Sequence, residues 1–193
     1  MSYLRHIPNM ITLLRIILIW PFIAYLLEGH YLAAFIIFMI AGLSDGVDGI
    51  LARRFGWTSY FGSFADPLAD KLLMISSFFV LAYLQVLPIW LVAIIIARDV
   101  IIMAGVAAYY YFIGKVTFEP SIISKINTVV QIMLVFTLLF ELTFETLPSV
   151  FILSLQALVL VLSLVSLIQY MWIWSRHAYL AKQARIKKQS EGS

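Results

Sequence analysis

From Leu72 to Ala97 the chain runs for 26 residues without a charged side chain. About 20 apolar residues are enough for a helix to cross the roughly 30 Å hydrocarbon core of a bilayer. This run is long for one helix. Pro88 inside it lacks the N–H that a helix interior needs, which predicts two spanning helices meeting at a tight turn over Gln85 to Pro88. The whole chain shares this character. Of its 193 residues 63% are hydrophobic and only 12% charged, with a mean hydropathy of +1.01. A soluble domain carries about twice that charged fraction, so a water-soluble globule is excluded. The absence of cysteine excludes disulfides, thiolate metal ligands and a cysteine nucleophile. Any bound metal must be held by oxygen or by one of three histidines, His6, His30 and His177, all expected at membrane surfaces.

The pattern predicts an all-α integral membrane protein with six transmembrane helices and a single domain over residues 1–193. Residues 1–10 form an interfacial segment with no features of a signal peptide, leading into a first span that ends near Leu27. The second span is expected from Tyr31 to about Arg54, followed by a connection over Phe55 to Ala65, and the third from about Asp66 to Gln85. The fourth covers Pro88 to Ile113, the fifth Ile126 to Phe140 and the sixth Pro148 to Ser175. Residues 176–193 then form a basic tail. Lysine and arginine occur before span one and after spans two, four and six. The loops after spans one, three and five carry only Glu28, Glu141 and Glu145. By the positive-inside rule both termini face the cytoplasm, which requires an even number of spans.

Of only ten acidic residues, four fall within 26 positions: Asp45, Asp48, Asp66 and Asp70. An aspartate at the centre of a membrane helix costs about 3 kcal/mol, so four facing lipid would cost on the order of 10 kcal/mol. They must face a cavity. Asp45 and Asp48 are spaced i,i+3 near the end of span two, and Asp66 and Asp70 i,i+4 at the start of span three, so each pair shares one helix face. Four converging carboxylates repel one another unless protons or cations neutralise them. With no thiolate and no nearby histidine, the fitting cation is hard: Mg²⁺ or Mn²⁺, with two ions sufficient. The alternative is four boundary aspartates solvated one by one. Gly49, Ala52 and Gly62 clear side chains from the same face, where a bulky ligand can approach the backbone, and Arg53 adds a fixed cation suited to a diphosphate.

Written out, the segment is D-G-V-D-G-I-L-A-R, eight residues, then G-S-F-A-D-P-L-A-D, from Asp45 to Asp70. It resembles the signature of the CDP-alcohol phosphatidyltransferase family, D-x2-D-G-x2-A-R followed by eight or nine residues and G-x3-D-x3-D, at every fixed position. The resemblance implies a six-helix membrane enzyme, usually a homodimer, that moves a phosphatidyl or related group from a CDP-alcohol to an acceptor hydroxyl and releases CMP. It further implies that Asp45, Asp48 and Asp66 hold two divalent ions, with Asp70 binding the second ion and acting as general base. Gly49, Ala52, Arg53, Ser59 and Gly62 match positions at the CDP-diacylglycerol site. Pro8 to Arg15, P-N-M-I-T-L-L-R, is similar to the family's interfacial segment, so Asn9 and Thr12 are expected at the nucleotide; the alternative is a simple helix start capped after proline.

Acceptor information is expected on spans four and five. Arg98 and Asp99 lie mid-span. Adjacent helical residues point about 100° apart, so they are not expected to form one simple ion pair; Arg98 is expected to face the cavity as a phosphate ligand with Asp99 orienting it. The alternative is a structural charge pair to another helix. Lys125 is either a second anion ligand or an ordinary positive-inside lysine. R-D-V at Arg98 and I-S-K-I-N-T-V-V-Q at Ile123 to Gln131 resemble the CMP-forming cardiolipin synthases, whose acceptor is phosphatidylglycerol. The chain is next most similar to phosphatidylglycerophosphate synthases, which use glycerol 3-phosphate but usually carry a second arginine where this chain has Val106. A nucleic-acid partner is not expected. With no transit segment visible, the bacterial inner membrane is the expected location and the mitochondrial inner membrane the alternative.

Two other classes of function start from the same carboxylates. A cation transporter would spread them through the membrane depth, often with an inverted repeat, whereas here they cluster at one depth in one half of the chain. A non-catalytic lipid-binding protein would not need all four aspartates intact.

Overall fold

The computed structural model describes the backbone of residues 7–55, 60–113 and 121–191, and the side chains of 13–44, 69–107 and 121–173. Every element in the described residues is a helix: α1 (Ile7–Leu27), α2 (Tyr31–Phe55), α3 (Tyr60–Tyr83), α4 (Ile89–Ile113), α5 (Ile122–Phe144) and α6 (Ser149–Glu191). Three of the expected boundaries move. α3 begins at Tyr60, so most of the connection expected before Asp66 is already helical. α5 extends four residues beyond the expected span at each end. α6 continues through the basic tail for 43 residues, about 65 Å at 1.5 Å per residue. Lysine, arginine, glutamine and alanine there are good helix formers, so the helix has no reason to stop where hydrophobicity does. Residues 7–10 of the expected interfacial segment belong to α1, and residues 1–6 lie outside the described residues.

Among the described residues, three stretches are long and apolar enough to cross a membrane: Ile89–Ala107, Ile122–Phe144 and Ser149–Ile173. Large apolar side chains point outward, among them Trp20, Val150 and Ile168, while Arg15, Arg98, Asn127, Ser163 and Ser166 are buried. Polar groups inside and apolar groups outside are what hydrocarbon, as a solvent, selects. The chain is a membrane protein.

The helices divide into two compact units. The first joins residues 1–92 to 132–152. Here α1 packs against both α2 and α3. Phe22 of α1 meets Phe38 of α2 with ring centroids 6.0 Å apart, and Phe35 meets Phe136, Phe140 and Phe144 of α5 at 5.4, 6.1 and 6.2 Å. The α1–α2 turn is tight because Gly29 adopts φ +81°. His30 N–H then bonds the Tyr25 carbonyl at 2.8 Å, the reversal that closes a helix C-terminus. The α3–α4 turn has the same design with Gln85, at φ 59°, in the glycine position; Val86 N–H bonds the Leu81 carbonyl at 3.0 Å. This is the break predicted from Pro88. Glu141 ends α5 by accepting a 2.7 Å bond from Leu147 N–H.

The second unit comprises residues 93–131 and 153–193. Its interior mixes Ile95 and Val159 with Arg98, Asn127, Gln131, Ser163 and Ser166. Ser121 N–H donates to the Tyr170 hydroxyl at 3.3 Å, tying the start of α5 to α6.

Candidate active site

Both aspartate pairs fall on helical backbone, Asp45 and Asp48 in α2 and Asp66 and Asp70 in α3, so the i,i+3 and i,i+4 spacings translate into shared faces. The side chains of Asp45, Asp48 and Asp66 lie outside the described residues, as do those of Asn9, Thr12, Ala52 and Arg53, the surroundings of Gly49 and Gly62, and the whole of Ser59. Asp70 is described. Its carboxylate Oδ1 accepts a hydrogen bond and ion pair from Nη1 of Arg15, which reaches it from α1. Arg15 is only 1% exposed and Asp70 43%, so a buried guanidinium holds a carboxylate that is itself partly exposed.

Arg15 is the candidate-site residue that counting charges passed over. Among the lysines and arginines that flank the spans it looks like a topology signal, yet it sits more than two turns into α1, an apolar helix. A cation inside a membrane helix calls for a partner and a function, and that signal was present in the sequence. Since α1 packs on both α2 and α3, it is also the helix from which a side chain can reach a carboxylate at the α2–α3 end.

The oxygen donors fit a hard divalent ion: four carboxylates in one segment, with no sulfur or histidine among them. Among the described residues no group of three or more acidic, histidine or cysteine side chains gathers, because three of the four aspartates fall outside them.

Arg98 lies within α4, 4% exposed. Contrary to the expectation from helical geometry, it pairs with its neighbour: Nη1 donates to Asp99 Oδ1 at 2.7 Å. The Cβ directions do diverge, but the arginine stem is long enough to fold back across the helix surface. The same guanidinium also bonds two other helices. Nη2 donates to Ser124 Oγ of α5 at 2.6 Å and to Ser166 Oγ of α6 at 2.5 Å. A few residues along the same two helices, Ser163 Oγ donates to Asn127 Oδ1 at 3.2 Å. Lys125 is exposed, and the hydrogen bonds of Arg98 run to its neighbour Ser124. Val106, two turns along α4, brings no second cation.

An open cavity of about 590 Å³ lies at the α1–α2 turn, lined by Tyr25, Gly29, His30, Tyr31, Leu32, Ala33, Leu142 and Thr143. It sits at the start of α2, whereas Asp45 follows 14 residues later, about 21 Å along the helix, so it is not the carboxylate site.

A sequence profile of the CDP-alcohol phosphatidyltransferase family matches residues 5–172, which include Arg15, the four aspartates and Arg98. The chain belongs to this family. It is 40% identical over 143 residues to a probable CMP-forming cardiolipin synthase of Drosophila melanogaster, covering 65% of this chain and 44% of that protein. It is 37% identical over 148 residues to the human CMP-forming cardiolipin synthase, covering 67% and 48%. It is 35% identical over 149 residues to the CDP-diacylglycerol–glycerol-3-phosphate 3-phosphatidyltransferase of Bacillus subtilis, covering 69% and 76%. The chain thus spans a little under half the length of the animal relatives and three quarters of the bacterial one. As a CDP-alcohol phosphatidyltransferase family member it carries the complete acidic signature, and Arg15 joins that signature from α1.

Proposed function

We propose that this protein transfers the phosphatidyl group of CDP-diacylglycerol to the free hydroxyl of phosphatidylglycerol, giving cardiolipin and CMP. The observation that carries the reading is Asp70, a half-open carboxylate aimed by the buried Arg15, in a chain that retains all four signature aspartates. In the reaction the acceptor oxygen attacks the lipid-side phosphorus, the bond from that phosphorus to the CMP phosphate breaks, and Asp70 takes the proton of the attacking hydroxyl. Arg15 holds Asp70 in line, and Arg53 neutralises the diphosphate. Asn9, Thr12, Gly49, Ala52, Ser59 and Gly62 surround the nucleotide and its linkage. Asp45, Asp48, Asp66 and Asp70 would hold one or two Mg²⁺ or Mn²⁺ ions, which when bound supply electrostatic stabilisation of the departing phosphate.

Phosphatidylglycerol is favoured as acceptor because the charged side chains of α4 are confined to Arg98 and Asp99, with Val106 where a second cation would serve a doubly charged substrate. Lys125 is assigned as the second acceptor-phosphate ligand. The similarity to the Bacillus subtilis enzyme, of which the chain spans three quarters, supports a second reading in which glycerol 3-phosphate is the acceptor.

The same reading takes six spans with both termini on the cytoplasmic side, one catalytic domain acting as a homodimer, and the site at the cytoplasmic face of a bacterial inner membrane, the mitochondrial inner membrane being the alternative. The test is CMP release from CDP-diacylglycerol by the purified protein. Release that needs both a divalent ion and an acceptor supports the proposal. Ion flux across vesicles without CMP release would replace it with a transporter.

A further inference from the structure

We infer that Ser124 of α5 and Ser166 of α6 are positioning residues that hold Arg98 ready for the phosphate of a glycerol-phosphate headgroup, and that the three side chains form a recognition clamp where α4, α5 and α6 meet. The inference rests on Arg98 as an acceptor ligand and names what makes it one.

A guanidinium has five N–H donors in a fixed plane. If Arg98 served only to neutralise Asp99, the economical geometry would be the two-bond fork to the carboxylate. Instead Asp99 receives one described bond, from Nη1, while both hydrogens of Nη2 go to serine hydroxyls on two other helices. Nε is buried with no hydrogen-bond partner. A buried N–H on a charged group is expensive to leave unsatisfied, and native structures rarely do so without a reason. The serines therefore anchor Nη2 to α5 and α6 while the Nε donor stays unspent.

Two more donors and one acceptor are left over in the same unit: the side-chain nitrogens of Asn127 and Gln131, and Oε1 of Gln169, are buried and unbonded, so donors outnumber acceptors. Ser124, Asn127 and Gln131 are spaced i, i+3, i+7, one face of α5, and Asn127 is joined to Ser163, which with Ser166 makes an i,i+3 pair on α6. A strip with a surplus of donors, one of them cationic, suits a ligand rich in acceptor oxygens and carrying negative charge. A phosphate ester of glycerol is such a ligand. Its source is either a lipid headgroup or free glycerol phosphate.

The test measures binding directly, by isothermal titration of the purified protein with short-chain phosphatidylglycerol in one arm and glycerol 3-phosphate in the other, and compares KM values where turnover is seen. The expected result is that the parent binds one of the two, that Ser124→Ala and Ser166→Ala each weaken that binding about tenfold or more, and that Ser166→Thr, which restores a hydroxyl, stays close to the parent. KM for CDP-diacylglycerol should not move. Should Ser166→Ala fail to fold, Ser124→Ala and Ser166→Thr carry the comparison. Binding by neither arm in the parent, parent-like binding by both alanine variants, or an equal rise in both KM values would overturn the clamp. Binding that follows the serines without any CMP release would instead retain the clamp and refute the proposed reaction.

Discussion

Replacing Arg15 by methionine removes the guanidinium that aims Asp70 while filling a similar buried volume. A hydrogen bond to a charged group contributes about 1.5–3 kcal/mol net. Asp70 is 43% exposed and can rehydrate when its partner goes, which puts the expected loss near the lower end, roughly 1–2 kcal/mol. For a chain of this size that lowers the thermal midpoint by roughly 3–6 °C. The effect on turnover should be larger. A reacting group displaced by about 1 Å can cost on the order of 100-fold in rate, and the loss should appear in kcat with KM for CDP-diacylglycerol changed by less than about threefold, because Arg15 acts through the Asp70 carboxylate. Arg15→Lys keeps the charge but loses the planar fork, so it should recover only part of the rate. The assay is initial-rate CMP release at saturating divalent ion, with a thermal scan in detergent. An Arg15→Met protein with parental kcat and a lowered midpoint would show that the pair is structural and refute its role in aiming the base.

Three further outcomes follow from the same geometry. Asp70→Asn keeps an oxygen for Arg15 but cannot take a proton, so CMP release should fall by about 10²–10⁴-fold, and the thermal midpoint should drop as well because the buried Arg15 loses its counter-charge. Arg98→Lys retains a cation but loses the planar, two-nitrogen fork that spans Asp99 and the two serines, and should raise KM for the acceptor by about 10–100-fold, or 1.4–2.8 kcal/mol, in a titration of acceptor at fixed donor. Gln85→Gly relieves a left-handed backbone at φ 59° and should raise the thermal midpoint by a few degrees, about 1 kcal/mol, with no effect on activity.

Helix existence was legible because hydrocarbon demands it: long uncharged runs have one structural solution, and Pro88 marks where two such helices meet. Boundaries were less legible where hydrophobicity and helix propensity part company. The glycine- and serine-containing segment before Asp66 reads as a connection, yet from Tyr60 onward it is helical, and the basic tail continues α6. The site divides in a similar way. Carboxylates grouped at helical spacing stand out in so apolar a sequence, and Asp70 could be singled out from spacing and resemblance. What sequence could not supply was who holds whom. Arg15 and Asp70 are 55 positions apart, and Arg98 and Ser166 are 68 apart, so their pairing depends on which helices become neighbours. The Arg98–Asp99 pair shows the opposite lesson. Directions drawn from Cβ alone underestimate the reach of an arginine, whose flexible stem can bring its charge back to an adjacent residue.

The central claim is the identity of the reaction, and it is tested most directly by lipid mass spectrometry of the products. Purified protein is given CDP-diacylglycerol and Mg²⁺ or Mn²⁺, with phosphatidylglycerol and glycerol 3-phosphate offered separately. The account predicts cardiolipin and CMP from phosphatidylglycerol, in equal amounts, and no phosphatidylglycerophosphate from glycerol 3-phosphate. Phosphatidylglycerophosphate from glycerol 3-phosphate alone would contradict the inference drawn from Val106, and no phosphatidyl transfer to either acceptor would contradict the account as a whole.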